Sequence, residues 1–320
     1  MAENFADRCL DAIEAKQAPL CVGLDPMYER LPKQIREIAS KAPGRLSEQA
    51  AAAREFCQSV IDIVSSQVPC VKVQSASFER CGPYGMCAYF DVVDYARENG
   101  LLVIGDVKRA DIGATAEAYA AAHLEEVFIG EGDAEHAVTC DAVTVNPYFG
   151  ADGVQPFVEV AKGGGQGVFV VVRTSNPSAT EFQDFRDDQG RRLFERVAEK
   201  VNDWANQAGC VGDSGYSLVG AVVPATYPDD TRLLRDLMPN SLLLVPGVGV
   251  QGGTMADAAL AFHDDGWGAL VTCSRSIIYA WEQEAYQHLG EVNWEDAIEV
   301  AFIDTKAALA EALARGAAAT

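Results

Sequence analysis

Positive charge is scarce in this chain: 25 Lys and Arg stand against 47 Asp and Glu in 320 residues, a formal net charge of −22. So acidic a surface repels nucleic acid and anionic membranes, and an anionic substrate must find a local cationic pocket. No apolar run reaches the ~20 residues of a membrane span, and the N-terminus, with Glu3 and Asp7, lacks a secretory signal pattern. A cytoplasmic protein with neither nucleic-acid nor membrane partners is therefore expected. The nine cysteines form no CxxC pair, and Cys21, Cys70 and Cys273 sit within apolar strand-like runs, so the set reads as reduced, mostly buried small hydrophobes. His123, His136, His263 and His288 show no ligand spacing, which argues against a histidine-rich metal site. No composition shift, Pro/Ser-rich linker or internal repeat divides the chain, so residues 1–320 are expected to form one domain.

What the chain does have is a rhythm of short apolar runs bounded by Gly, Pro or polar residues. Eight are candidate strands: 19–24, 71–74, 101–104, 142–145, 168–172, 218–223, 242–245 and 269–272. Helix-length segments separate most of them, and eight strands alternating with helices predict a closed (β/α)8 TIM barrel. Ser47 is placed to cap a helix carrying Phe56, Val60, Ile63 and Val64, and Leu193, Val197, Val201 and Trp204 recur at the same helical spacing. Length beyond the usual ~250 residues of such a barrel is expected in helical insertions, at Met27 to Arg45 and Ser178 to Gly215. The Ala-rich tail from Ala307 reads as a terminal helix.

Active sites of such barrels form at the C-terminal ends of the strands, and here those ends are polar. The third run leads into Gly105-Asp106-Val107-Lys108-Arg109-Ala110-Asp111-Ile112-Gly113. Side chains alternate along a strand, so Asp106 and Lys108 share a face, where mutual attraction keeps both ionised. The plainer alternative is a solvated ion pair, with Asp111 capping a helix that starts near Gly113. The first strand ends in Asp25-Pro26, the second carries Lys72 and Gln74, and the fifth ends in Arg173-Thr174-Ser175. The last two end in Pro246-Gly247-Val248-Gly249-Val250-Gln251-Gly252-Gly253 and Ser274-Arg275-Ser276. Glycine-rich turns entering helix N-termini expose N–H groups that cradle phosphate, and an arginine beside them binds it bidentately. Gly163 to Gly167 lacks a P-loop ending and reads as a flexible turn.

These strand ends together resemble the orotidine 5'-phosphate decarboxylases, in their longer bacterial and archaeal subfamily. The similarity runs from Gly23-Leu24-Asp25-Pro26 to Ser274-Arg275-Ser276-Ile277, and its most specific element is Asp106 to Gly113. It implies an alternating array of Lys72, Asp106, Lys108 and Asp111 that works on orotidine 5'-phosphate and releases UMP, with no cofactor and no metal. It also implies a homodimer in which Asp111 and Thr115 reach the site of the other subunit. By the same resemblance Asp25 and Lys72 hold the ribose hydroxyls, Ser175 contacts the pyrimidine, and Gln251, Gly252 and Arg275 serve the phosphate. Lys108 is then the acid that protonates C6. The competing expectations are a metal-dependent keto-sugar-phosphate decarboxylase or aldolase, a Schiff-base aldolase using Lys72 or Lys108, and a non-catalytic nucleotide-binding barrel.

Overall fold

In the computed structural model, which describes residues 2–42, 44–125 and 138–318, eight parallel strands close into a barrel in sequence order. They are β1 Leu20–Leu24, β2 Cys70–Gln74, β3 Leu102–Arg109, β4 Ala142–Val145, β5 Gly167–Val171, β6 Ser217–Val222, β7 Ser241–Val245 and β8 Ala269–Cys273. Pairing of β1 with β8 completes the ring. Seven strands fall within one residue of their predicted ends. β3 does not: it continues past Ile104 through the charged residues to Arg109. Polarity failed to end this strand because its charged side chains satisfy one another inside the barrel mouth, while the backbone stays paired to β2 as far as Gln74 and Asp106. Among the described residues no helix is long and apolar enough to cross a membrane. His136 lies outside the described residues.

Most strands bury every residue, because one face meets the outer helices and the other the barrel interior. The lower interior is filled by Cys21, Cys70, Ile104, Ala142, Phe169, Leu242 and Leu270. A helix the sequence reading did not single out, Phe5–Lys16, plugs this end. Its Phe5 meets Phe169 edge to face at 5.8 Å. A Cβ on Gly167 would sit 2.4 Å from the Phe5 ring, so glycine is needed there for close approach. The Gly163 to Gly167 run is accordingly not a flexible turn. Gly163 and Gly164 end the Ala151–Gly164 helix, Gly165 is its left-handed cap at φ +72°, and Gly167 opens β5.

The predicted helices form, with one capping assignment corrected. The Arg45–Val64 helix buries Phe56, Val60 and Val64, but its N-cap is Gly44. Ser47 sits inside the first turn and donates its hydroxyl back to the Gly44 carbonyl at 2.8 Å. In Leu193–Ala205, Val201 and Trp204 are buried and Leu193 stays exposed. This helix packs on β6 as one of the barrel's own, so the inserted chain is shorter than 178–215. The addition is mainly the short Thr180–Gln183 helix and a polar turn, held where the Asp187 carboxylate accepts the N–H groups of Gln189 and Arg191. The first insertion folds as a 3-10 turn, Tyr28–Arg30, and a helix, Lys33–Ala39. Arg30 anchors it by pairing with Glu282 and lying 3.9 Å above the Tyr279 ring. The tail belongs to a terminal helix, Trp294–Ala318.

Candidate active site

The site is the interior lattice continued one layer upward. Residues two apart on a strand face the same side, so Cys70 is followed by Lys72 and Gln74, Ile104 by Asp106, Ala142 by Thr144, Phe169 by Val171, Leu242 by Leu244 and Leu270 by Thr272. The second members of these pairs all line one cavity of about 270 Å³ at the strands' C-terminal ends. Asp25, Lys108, Ser175, Gln251, Ser274 and Arg275 complete its wall.

At its centre is the Asp106 carboxylate, only 4% exposed and saturated by four donors. Oδ2 accepts from Lys72 Nζ at 2.7 Å and Gln74 Nε2 at 2.9 Å. Oδ1 accepts from Thr144 Oγ1 at 2.9 Å and pairs with the Lys108 ammonium. Burial alone would raise the Asp106 carboxyl, but the two ammonium groups outweigh it and hold it well below the usual carboxylate range. For Lys72, burial acts to lower its basicity, and Asp106 and Asp25 reverse that and raise it above an ordinary lysine. Both groups are therefore charged at neutral pH. Lys72 is enclosed, whereas the Lys108 side chain is 47% exposed, so one cation is fixed in the wall and the other presented to the cavity.

Asp25 stands 3.6 Å from Lys72 through Oδ1, and its Oδ2 accepts from the Ser274 hydroxyl at 2.7 Å. The approach depends on Gly23, where a Cβ would lie 2.7 Å from that of Ser274. Tyr279, fully buried, accepts the N–H of Met27 at 2.7 Å and donates to the Asp25 carbonyl at 3.2 Å, fixing the turn that carries Asp25. Across the cavity mouth, the Ser175 hydroxyl donates to Gln251 Oε1 at 2.8 Å, joining the fifth and seventh strand-end turns.

The expected cradle of N–H groups at the seventh turn is partly spent within the turn, by three of its glycines. Gly249 donates to the Gly253 carbonyl, Gly252 to Gly249 and Gly253 to Gly247. The helix that follows, Met255–Ala259, is closed by a capping box between Thr254 and Asp257. Gly252 does not line the cavity, and its φ of +98° serves the turn's shape. Gln251 and Arg275, with Ser276 beside them, stand on the cavity wall where an anion could be met.

Of the residues anticipated, Asp25, Lys72, Asp106, Lys108, Ser175, Gln251 and Arg275 converge on the one cavity. Asp111 and Thr115 do not. Asp111 is no helix cap either: that position is Ile112, before the Gly113–Leu124 helix, and among the described residues the Asp111 carboxylate accepts the N–H of Ile112 alone, at 2.8 Å. Thr115 is exposed on that helix. Arg173 is fully buried behind the wall, paired with Asp184 at 2.8 Å and Asp230 at 3.4 Å and set against the rings of Phe194 and Tyr227. Thr144, Thr272 and Ser274 were missed as site residues. For the two threonines the signal was available, since each stands two residues beyond a buried strand position. Among the described residues no three His, Cys, Asp or Glu side chains are grouped to hold a metal.

The sequence profile of the orotidine 5'-phosphate decarboxylase / HUMPS family matches residues 18–288. An orotidine 5'-phosphate decarboxylase of Rhodopirellula baltica is 44% identical over 302 residues, 94% of this chain and 97% of its own. Another, of Caldicellulosiruptor bescii, is 37% identical over 93% of this chain and 99% of its own. Among solved structures, the OMP decarboxylase of Leishmania donovani matches with a TM-score of 0.67 at 28% identity, covering 93% of this chain and 99% of that one.

Proposed function

The chain belongs to the orotidine 5'-phosphate decarboxylase family, and from that membership and the charged array we propose how its residues convert orotidine 5'-phosphate to UMP and CO2. The observation that carries the reading is one buried carboxylate shared between an enclosed lysine and a half-exposed one facing the cavity. The bond from C6 to the carboxylate breaks, its electron pair stays on C6, and a proton from Lys108 Nζ fills that position. The Lys108 ammonium stabilises the developing negative charge before it delivers the proton. Lys108 then regains a proton from solvent, which its exposure permits. Asp106 holds Lys108 in line and places negative charge near the departing carboxylate, an arrangement that favours loss of neutral CO2. Asp25 and Lys72 hold the ribose hydroxyls, Ser175 the pyrimidine, and Gln251 and Arg275 the phosphate. No step requires a metal or cofactor.

Asp111 enters this scheme from a second copy of the chain. Beside it, Ile112 is 52% exposed, Phe149 50% and Tyr148 86%. The turn bearing these aromatics packs on it, since a Cβ on Gly153 would lie 3.1 Å from the Asp111 carbonyl oxygen and 2.9 Å from Phe149 Cβ. Such an apolar patch at the rim of a site suits a homodimer that shares Asp111 and Thr115.

The test is loss of orotidine 5'-phosphate absorbance on adding EDTA-treated protein, with Lys108→Ala beside it. Metal-independent turnover by wild type alone is expected. No turnover by folded wild type would point instead to the sugar-phosphate enzymes or, if the nucleotide still binds, to a non-catalytic barrel.

A further inference from the structure

β3 and β4 fall out of register where the site begins. Gly105 pairs with Val143 and Arg109 with Val145, so the stretch from Asp106 to Lys108 faces Thr144 alone. Lys108 itself adopts φ +43°, a left-handed conformation that lysine seldom takes. A residue held this way needs surroundings that fix it.

We propose that Thr144 is a positioning residue for proton delivery, holding the Lys108 backbone and the Asp106 carboxylate in one hydrogen-bonded ring; this rests on the decarboxylase reading above. Its Oγ1 accepts the Lys108 N–H at 3.0 Å and donates to Asp106 Oδ1 at 2.9 Å. The same Oδ1 pairs with Lys108 Nζ, so the ring closes through the lysine side chain. Thr144 is 1% exposed, which keeps water from replacing either bond. Its neighbours in the cavity layer, Val171, Val222 and Leu244, are apolar and merely fill space. If filling space were all that position 144 required, valine would serve there equally well.

Thr144→Val keeps the shape and deletes both bonds, whereas Thr144→Ser keeps the hydroxyl and deletes a methyl. Because Lys108 is displaced while the nucleotide's ribose and phosphate contacts remain, the loss should appear in kcat and not in binding. Thr144→Val is expected to lower kcat by about tenfold or more, with KM and the Kd for UMP within about twofold of wild type. Thr144→Ser should return kcat to within about threefold. Circular dichroism verifies the fold, and if the valine variant does not fold, Thr144→Ala is compared with Thr144→Ser instead. The proposal is overturned by an unchanged kcat in the valine variant, by equal losses in valine and serine variants, or by a loss confined to KM. Wild-type protein runs alongside, and its failure to turn over orotidine 5'-phosphate would sink the decarboxylase reading itself.

Discussion

Arg173→Met should destabilise this protein by about 3 to 4 kcal/mol, as an uncompensated loss from a buried charge cluster. The guanidinium is 1% exposed and ties two carboxylates together, Asp184 from the inserted turn and Asp230 from the Pro228–Leu237 helix. Replacing every member of such a cluster with apolar residues is often neutral, but removing one member strands the others and costs roughly 3–5 kcal/mol. Methionine occupies much of the arginine's stem volume, so the cavity cost is small. Two features lower the expected loss: Asp230 keeps Arg192 at 2.6 Å, and the Asp184 side chain is already 35% exposed and can turn to water. Loss of the contacts to the Phe194 and Tyr227 rings adds about 1 kcal/mol back. With about 2.1 cal/mol/K of unfolding entropy per residue over 320 residues, 4 kcal/mol corresponds to a fall in Tm of about 6 °C. The assay is a thermal melt at pH 7 followed by circular dichroism, beside Arg173→Met/Asp184→Asn, which should recover part of the loss. A fall of less than about 1.5 °C in the single variant would refute the reasoning, since the cluster would then be worth no more than an apolar side chain.

Hybrid dimers test the shared site: neither Lys108→Ala nor Asp111→Ala alone should turn over appreciably, but mixed and reassociated subunits should recover about a quarter of wild-type activity, and none if each chain is self-sufficient. Truncating Gln251 and Arg275 together to alanine should lower kcat/KM by well over tenfold, because remote phosphate binding contributes to the transition state; a loss within about threefold would remove them from that role. His123 supplies a pH dependence. Burial, reinforced by the Arg109 guanidinium, pushes its pKa down to about 4. Between its ordinary value near 6.5 and pH 4 the unfolded chain binds a proton that the folded chain refuses, so stability falls as pH falls. Between pH 7 and pH 5 that loss should be about 2 kcal/mol in denaturant unfolding, and His123→Phe should flatten it. An equal slope in both proteins would show that His123 is not its source.

The barrel was legible because its signal is local. Each strand is a short apolar run that must be buried on both faces, and the runs recur between helix-length segments. Charges misled only at β3, where Asp106 and Lys108 looked like the end of a strand and instead lie within it, paired with each other and with Lys72 on β2 and hydrogen-bonded to Thr144 on β4. Ser47 has a capping residue's chemistry but lies three residues past the cap, a boundary error that composition cannot correct. Phe5–Lys16 was overlooked because what it buries, Phe5 against Phe169, joins segments more than 160 residues apart.

By itself the sequence determined the count of strands, the polar character of their ends, and the pairing of Asp106 with Lys108, all consequences of composition and periodicity along one segment. Which strand-end residues meet was decided by closure of the barrel. Closure brings Lys72 to 2.7 Å from Asp106, sets Thr144 beneath the bulge at Lys108, and joins Ser175 to Gln251 across the mouth. It also leaves Asp111 and Thr115 outside the cavity and turns the N–H groups of Gly249, Gly252 and Gly253 back into their own turn. The reason is that strand order and shear fix the distances between segments far apart in the chain, and no pattern within a single segment carries that information.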